Sequence, residues 1–157
     1  MAKTAEVGGK TLILNGIGLR SESIVRVYAA GLYLETKSTD AEAIITSNAP
    51  KRIVIHFIRS VTKDQLVDAF TESFAKNSRG NLDVVQPDID RLLGLLEPVK
   101  ARDEMTFTFV PGVGLTVATN GHDRLTVSNA AFARSLFSVW LGPNPPTAEV
   151  KKGMLGA

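Results

Sequence analysis

Apolar residues recur along this chain with two different periods, and the switches between them divide it into strands and helices. Thr11-Leu-Ile-Leu14 and the run from Ile24 to Leu34, rich in Val, Ile, Leu and Tyr, predict extended segments. Between them, Asn15-Gly-Ile-Gly-Leu-Arg20 places two glycines where the chain either turns or admits another backbone closely; a turn is the expectation. Asp40 to Thr46 predicts a short helix capped by Thr39 or Asp40. Lys51 to Ile58 predicts a strand with Ile53, Ile55 and Phe57 on one face and His56 on the other. Thr62-Lys-Asp-Gln65 has the form of a capping box, and Leu66, Phe70 and Phe74 then repeat every four residues, so an amphipathic helix is expected up to Asn77.

A second helix is expected from Pro87, a residue suited to a first turn, to about Leu96, with Pro98 stopping it. Met105 to Val110, Leu115 to Thr119 and Arg124 to Val127 predict three short strands in a meander, separated by Pro-Gly and Asn-Gly turns. Asn129 to Leu141 is apolar nearly all round, so this helix must be buried on more than one side. Gly142-Pro-Asn-Pro-Pro146 ends it, and Thr147 caps a terminal helix to Leu155. Strands and helices mix without strict alternation, which predicts an α+β fold, and 157 residues fit one domain over the whole chain.

Composition changes this picture by exclusion. Mean hydropathy of +0.08 with 22% charged residues belongs to a folded globular chain rather than a disordered one. Lys and Arg total 18 against 16 Asp and Glu, spread without a run, so the pI of about 9.0 is a small excess and not a nucleic-acid surface. The absence of cysteine removes disulfides, zinc knuckles and thiol nucleophiles. No apolar stretch approaches the roughly 18 to 20 residues a membrane helix needs, and Met1 to Lys10 lacks the apolar core of a signal peptide. A soluble chain is expected, with its compartment open.

Few residues carry obvious chemistry. His56 and His122 stand far apart, outside any metal-spaced cluster, and His122-Asp123 falls in an expected turn, so neither a metal nor another cofactor is expected. Gly8-Gly-Lys-Thr11 precedes a strand rather than a helix and is not a phosphate loop. Tyr28 and Tyr33 lie on one strand at odd spacing and face opposite sides of its sheet. Packing with hydroxyls at the surface is the expectation for both, the alternative being one tyrosine turned into a cleft. Phe70, Phe74, Phe132, Phe137 and Trp140 at helical spacing read first as core.

Three stretches taken in order carry a family resemblance. They are Gly8-Gly-Lys-Thr-Leu-Ile-Leu-Asn-Gly-Ile-Gly-Leu-Arg20, Val27-Tyr-Ala-Ala-Gly-Leu-Tyr-Leu34, and Ser135-Leu-Phe-Ser-Val-Trp-Leu-Gly-Pro143 with the Lys151-Lys-Gly-Met-Leu-Gly156 tail. Together they resemble the chalcone isomerase family, in particular its bacterial chalcone isomerase-like proteins, over essentially the whole chain. The resemblance implies an open-faced β-sandwich: a large antiparallel sheet covered by a helical layer, with a ligand cleft between. Family members include enzymes that close chalcones to flavanones, plant fatty-acid-binding proteins, non-catalytic partners of flavonoid enzymes and bacterial proteins that are often periplasmic.

In the enzymes an arginine after the first strand stabilises charge that develops on an enolate, a task suited to a permanently charged fork of donors. By resemblance Arg20 holds that position. The other positions depart from the pattern. Tyr28 stands where the enzymes have threonine; Leu66, Ala69 and Ser73 stand for tyrosine, lysine and asparagine; and Val139-Trp140 replaces a Thr-Met pair. These changes make the implied cleft more apolar.

Three readings follow. The first is a binder of a small hydrophobic anion, a fatty acid or a flavonoid-like phenol, with Arg20 at the anionic end and Tyr28 and Ser73 as supporting hydrogen-bond groups. The second is an intramolecular lyase in which Arg20 is catalytic. The third is an interaction module whose cleft has been filled by Trp140 and the phenylalanines.

Overall fold

A computed structural model describes residues 1–78 and 80–157. Among the described residues, seven strands form one antiparallel sheet in sequential order: β1 (Thr4–Val7), β2 (Lys10–Glu22), β3 (Val25–Leu34), β4 (Lys51–Phe57), β5 (Glu104–Val110), β6 (Gly114–Thr119) and β7 (His122–Val127). Five helices of the described residues are inserted between or after them: α1 (Ala41–Thr46), α2 (Lys63–Asn77), α3 (Leu82–Leu95), α4 (Ala130–Leu141) and α5 (Ala148–Met154). The helices pack on one face, where Ile53, Ile55 and Phe57 of β4 meet Phe107 and Phe109 of β5 in the main core. A smaller cluster of Val7, Leu12, Tyr33 and Val54 covers the opposite face. Among the described residues no helix is long and apolar enough to cross a membrane.

Local chemistry explains most element ends. Thr62 and Gln65 form the reciprocal capping box at the start of α2. Asp40 and Thr147 cap α1 and α5. At the β6–β7 turn Asn120 and Gly121 both adopt positive φ, the geometry that matches the twist of a two-residue hairpin. The turn therefore ends at Gly121, and His122-Asp123 belongs to β7. Helix α4 is central, touching α1, α2, α3, α5 and β6, which is why its apolar surface runs nearly all round.

Two expectations need correction, and one strand was not foreseen. Asn15 to Arg20 is not a turn but the middle of β2, which continues from Lys10 to Glu22 with an irregularity between Leu14 and Gly16. The glycines serve close approach instead: α5 lies across β2 so tightly that a methyl on Gly18 would stand 2.7 Å from the Cα and carbonyl carbon of Val150. Buried Asn15 anchors the same contact, donating from Nδ2 to the carbonyls of Ser38 and Met154, both at 2.9 Å. Second, α3 begins at Leu82, five residues before Pro87. The amide that proline lacks would have served the carbonyl of Asp83, which lies in the exposed first turn where water is available. The unforeseen strand is β1; its four residues are too few for a legible period.

Among the described residues a lysine is also buried. Lys51 is 3% exposed, and its Nζ donates to the carbonyls of Ile44 and Ser47, both at 2.7 Å, at the C-terminal end of α1. The rings of Phe109 and Phe137 lie 5.2 and 5.3 Å away. Burial, with Arg134 adding repulsion, brings its pKa down to about 8. The unfolded chain holds this proton up to about pH 10.4. Between the two values the unfolded state binds more protons, so stability rises with pH across that window and is level on either side. Urea unfolding of the wild type relative to Lys51→Met is expected to show this rise. A flat difference would mean that the lysine keeps its ordinary affinity for the proton.

Candidate functional site

Between α2 and the helix-facing side of the sheet lies a cavity of about 570 Å³. That is within the range of small-molecule sites, roughly 300–1,000 Å³. Its apolar floor is built by side chains that alternate along the strands: Ile55 and Phe57 of β4, and Met105 and Phe107 of β5. Trp140 of α4 closes the inner end, its ring 5.4 Å from that of Phe107 and edge-on to Phe70 at 6.1 Å. Asn144, Pro145 and Pro146 form one rim. Asn77 fixes that rim, donating from Nδ2 to the Asn144 carbonyl and accepting the Asn144 amide, both at 3.0 Å.

Arg20 and Tyr28 are register partners on β2 and β3, so both side chains point to the same face of the sheet and into the cleft. The half-buried Arg20 donates to the carbonyl of Ser21 and pairs with no carboxylate among the described residues. A guanidinium has five N–H donors, so most remain for another acceptor. The Tyr28 oxygen accepts the indole N–H of Trp140 at 3.0 Å, and the ring packs edge-on against Phe57 at 6.0 Å. Burial raises the Tyr28 pKa to about 12, against smaller opposing effects of the Trp140 hydrogen bond and the Arg20 charge. The phenol therefore keeps its proton at neutral pH. With its oxygen already accepting, the hydroxyl is oriented to donate.

Leu66, Ala69 and Ser73 line the cleft from α2, Val139 and Trp140 from α4, and Arg20 and Tyr28 from the sheet, so all seven candidate residues surround one cavity. They are not equivalent. Leu66, Val139 and Trp140 are buried, Ser73 is half-buried and Ala69 is exposed to the cleft. Tyr28 does not carry its hydroxyl to the surface as expected: it turns inward to Trp140, while Tyr33 reaches the Ala2 carbonyl on the opposite face. Sequence reading missed Arg59, Asn144 and the Met105–Phe107 floor. The floor was implicit in strand alternation, but nothing in the sequence pairs Asn144 with Asn77. Among the described residues no group of three or more His, Cys, Asp or Glu could hold a metal ion.

A meandering antiparallel sheet with helices on one face and an arginine-edged cleft with an apolar floor between the layers defines an open-faced β-sandwich of the chalcone isomerase type. The sequence profile of the chalcone isomerase-like family matches residues 1–156. The chain belongs to that family. No curated protein gives a significant match to the sequence. Among solved structures, a fatty-acid binding protein of Arabidopsis thaliana is similar, with a TM-score of 0.73 over 97% of this chain and 95% of its own. At 16% identity that similarity establishes the shared fold.

Proposed function

We propose that this protein binds a fatty acid or a comparable hydrophobic carboxylate, with the hydrocarbon in the cleft and the carboxylate between Arg20 and Tyr28. The observation that carries this reading is Arg20, a guanidinium without a carboxylate partner among the described residues, facing a cavity with an apolar floor beside a protonated phenol. A carboxylate accepts from the guanidinium and the Tyr28 hydroxyl together, and such charge-assisted bonds are the strong ones. Leu66, Val139 and Trp140 supply hydrocarbon contact, and Ser73 adds a hydroxyl on the α2 wall. The open cavity favours this reading over an interaction module with a filled cleft. The fatty-acid binding protein of the same fold supports it as an analogue.

Titration with a fluorescent fatty acid, together with extraction of lipid from purified protein, tests the proposal. Arg20→Gln is expected to weaken binding roughly tenfold to a hundredfold, the equivalent of about 1.5–3 kcal/mol for hydrogen bonds to a charged group. Absence of both bound lipid and titratable binding would end it. The α2 wall presents Leu66 and Ala69 where the plant enzymes carry polar groups, so a racemic flavanone is expected from 2′-hydroxychalcone. An enantiomeric excess abolished by Arg20→Gln would instead establish an isomerase.

A further inference from the structure

The β2–β3 hairpin runs past the end of its neighbour: Tyr28 pairs with Phe57, the last residue of β4, and Val25 to Val27 continue beyond it. Beyond the Ile58 bond to Val27, two residues of extended chain, Val25 and Arg26, project about 7 Å. At the tip Ser23 adopts a φ of 58° and is followed by Ile24, which is 95% exposed. A β-branched apolar residue adds nothing to a two-residue turn, where Gly, Asn and Ser are the residues with a physical advantage. Val25 and Ile58 are 40% and 39% exposed. Ile58 is tied to the hairpin by its amide bond to the Val27 carbonyl at 2.9 Å. Among the described residues, three of the seven exposed large hydrophobic side chains thus gather at one end of the sheet.

The charge around them is biased. Arg26 and Arg59 flank the tip in exposed positions, and exposed Lys100 and Arg102 lie on the loop whose Arg102 amide bonds the Phe57 carbonyl at 2.8 Å. Exposed Glu22 lies on the hairpin itself, and exposed Asp68 and Glu72 line the cleft from α2. Asp103 is half-buried and accepts from the Lys100 amide, which lowers its pKa. This end is also the mouth of the cleft, since Glu22, Val27, Arg59 and Ser60 line the cavity while Ile24 and Arg26 stand outside it.

We propose that this hairpin tip docks on an anionic phospholipid surface. Ile24 enters the acyl boundary, the arginines and lysines meet the headgroups, and the cleft mouth is held against the bilayer, so that a fatty acyl chain passes between them without crossing water. An apolar side chain within a basic rim is the combination that lies in a membrane interface, and a projection of this length matches the shallow depth of such insertions. The proposal rests on the reading of the cleft as a lipid site, and the experiment separates the two.

Sedimentation with vesicles of phosphatidylcholine, with and without phosphatidylglycerol, measures docking; titration with a soluble fluorescent fatty acid, without vesicles, measures the cleft. The wild type is expected to partition onto the anionic vesicles alone and to be released by salt. Ile24→Asn, which suits the turn, is expected to partition about tenfold more weakly, and Arg26→Ser to weaken partition as well, both with fatty-acid affinity unchanged. Equal partition of Ile24→Asn and wild type would overturn the proposal. So would a wild type that ignores anionic vesicles but binds the fatty acid, in which case the tip is a surface for a protein partner. Vesicle binding without fatty-acid binding would uphold the docking surface and sink the assignment of the cleft.

Discussion

Gly18→Ala is expected to destabilise the protein by about 3 kcal/mol, at the upper end of what one inserted methyl costs in a tight contact. The new Cβ would stand 2.7 Å from two backbone atoms of Val150, and neither backbone can yield as a side-chain tip would. The opposing surface is equally bare: a Cβ on Gly153 would stand 2.5 Å from the Cα of Gly18. Helix α5 must lift from β2, exposing Val150 and Met154, which are fully buried. Gly94→Ala is the control. That glycine lies on the exposed side of α3 with nothing within 4 Å of an added Cβ, so alanine there stabilises by roughly 0.5–1 kcal/mol through helix propensity. Chemical denaturation of both variants, with limited proteolysis of the C-terminal segment, measures the contrast. Equal and small effects would mean that α5 is not seated on the strand.

Filling the cleft is expected to cost binding on the same scale as losing the Arg20 charge. Ala69 projects from α2 into the cavity and is otherwise free of packing demands, so Ala69→Trp places an indole where hydrocarbon would lie. Denying even three methylenes their site, at about 0.8 kcal/mol each, weakens binding roughly fiftyfold. The fold carries little of this cost, because the position is exposed and the helix-propensity penalty is about 0.5 kcal/mol. Fatty-acid titration beside thermal unfolding reads both quantities. An unchanged affinity with an unchanged melting temperature would place the ligand outside the cleft, even if Arg20→Gln weakened its binding.

The two predictions divide along the line between local and non-local information. The capping box at Thr62, the Asn120-Gly121 hairpin and the caps of α1 and α5 were legible because each is closed by residues at most three apart. The enveloping burial of α4 was legible because its polarity has no period to hide. The glycines at 16 and 18 were read as marking either a turn or a close backbone approach, and the turn was preferred, because the partner that needs the space lies more than a hundred positions away. The candidate site had the same character. Arg20, Tyr28 and the α2 and α4 positions were chosen by resemblance to a family, whose members carry tertiary information that a single chain does not display.

By itself, then, the sequence determined the α+β composition, most helix limits, the two-faced pattern of the strands and the absence of thiol chemistry, all consequences of short-range sterics, hydrogen bonding and hydrophobic period. Only the tertiary structure decided that β2 runs unbroken beneath α5, that Lys51 is enclosed by α1 and two phenyl rings, and that Trp140 meets the Tyr28 hydroxyl across 112 positions. It also decided that a cavity with an apolar floor remains open beside Arg20 rather than being filled. These depend on how layers stack, and stacking is set by the summed shape of many side chains, which no local window contains.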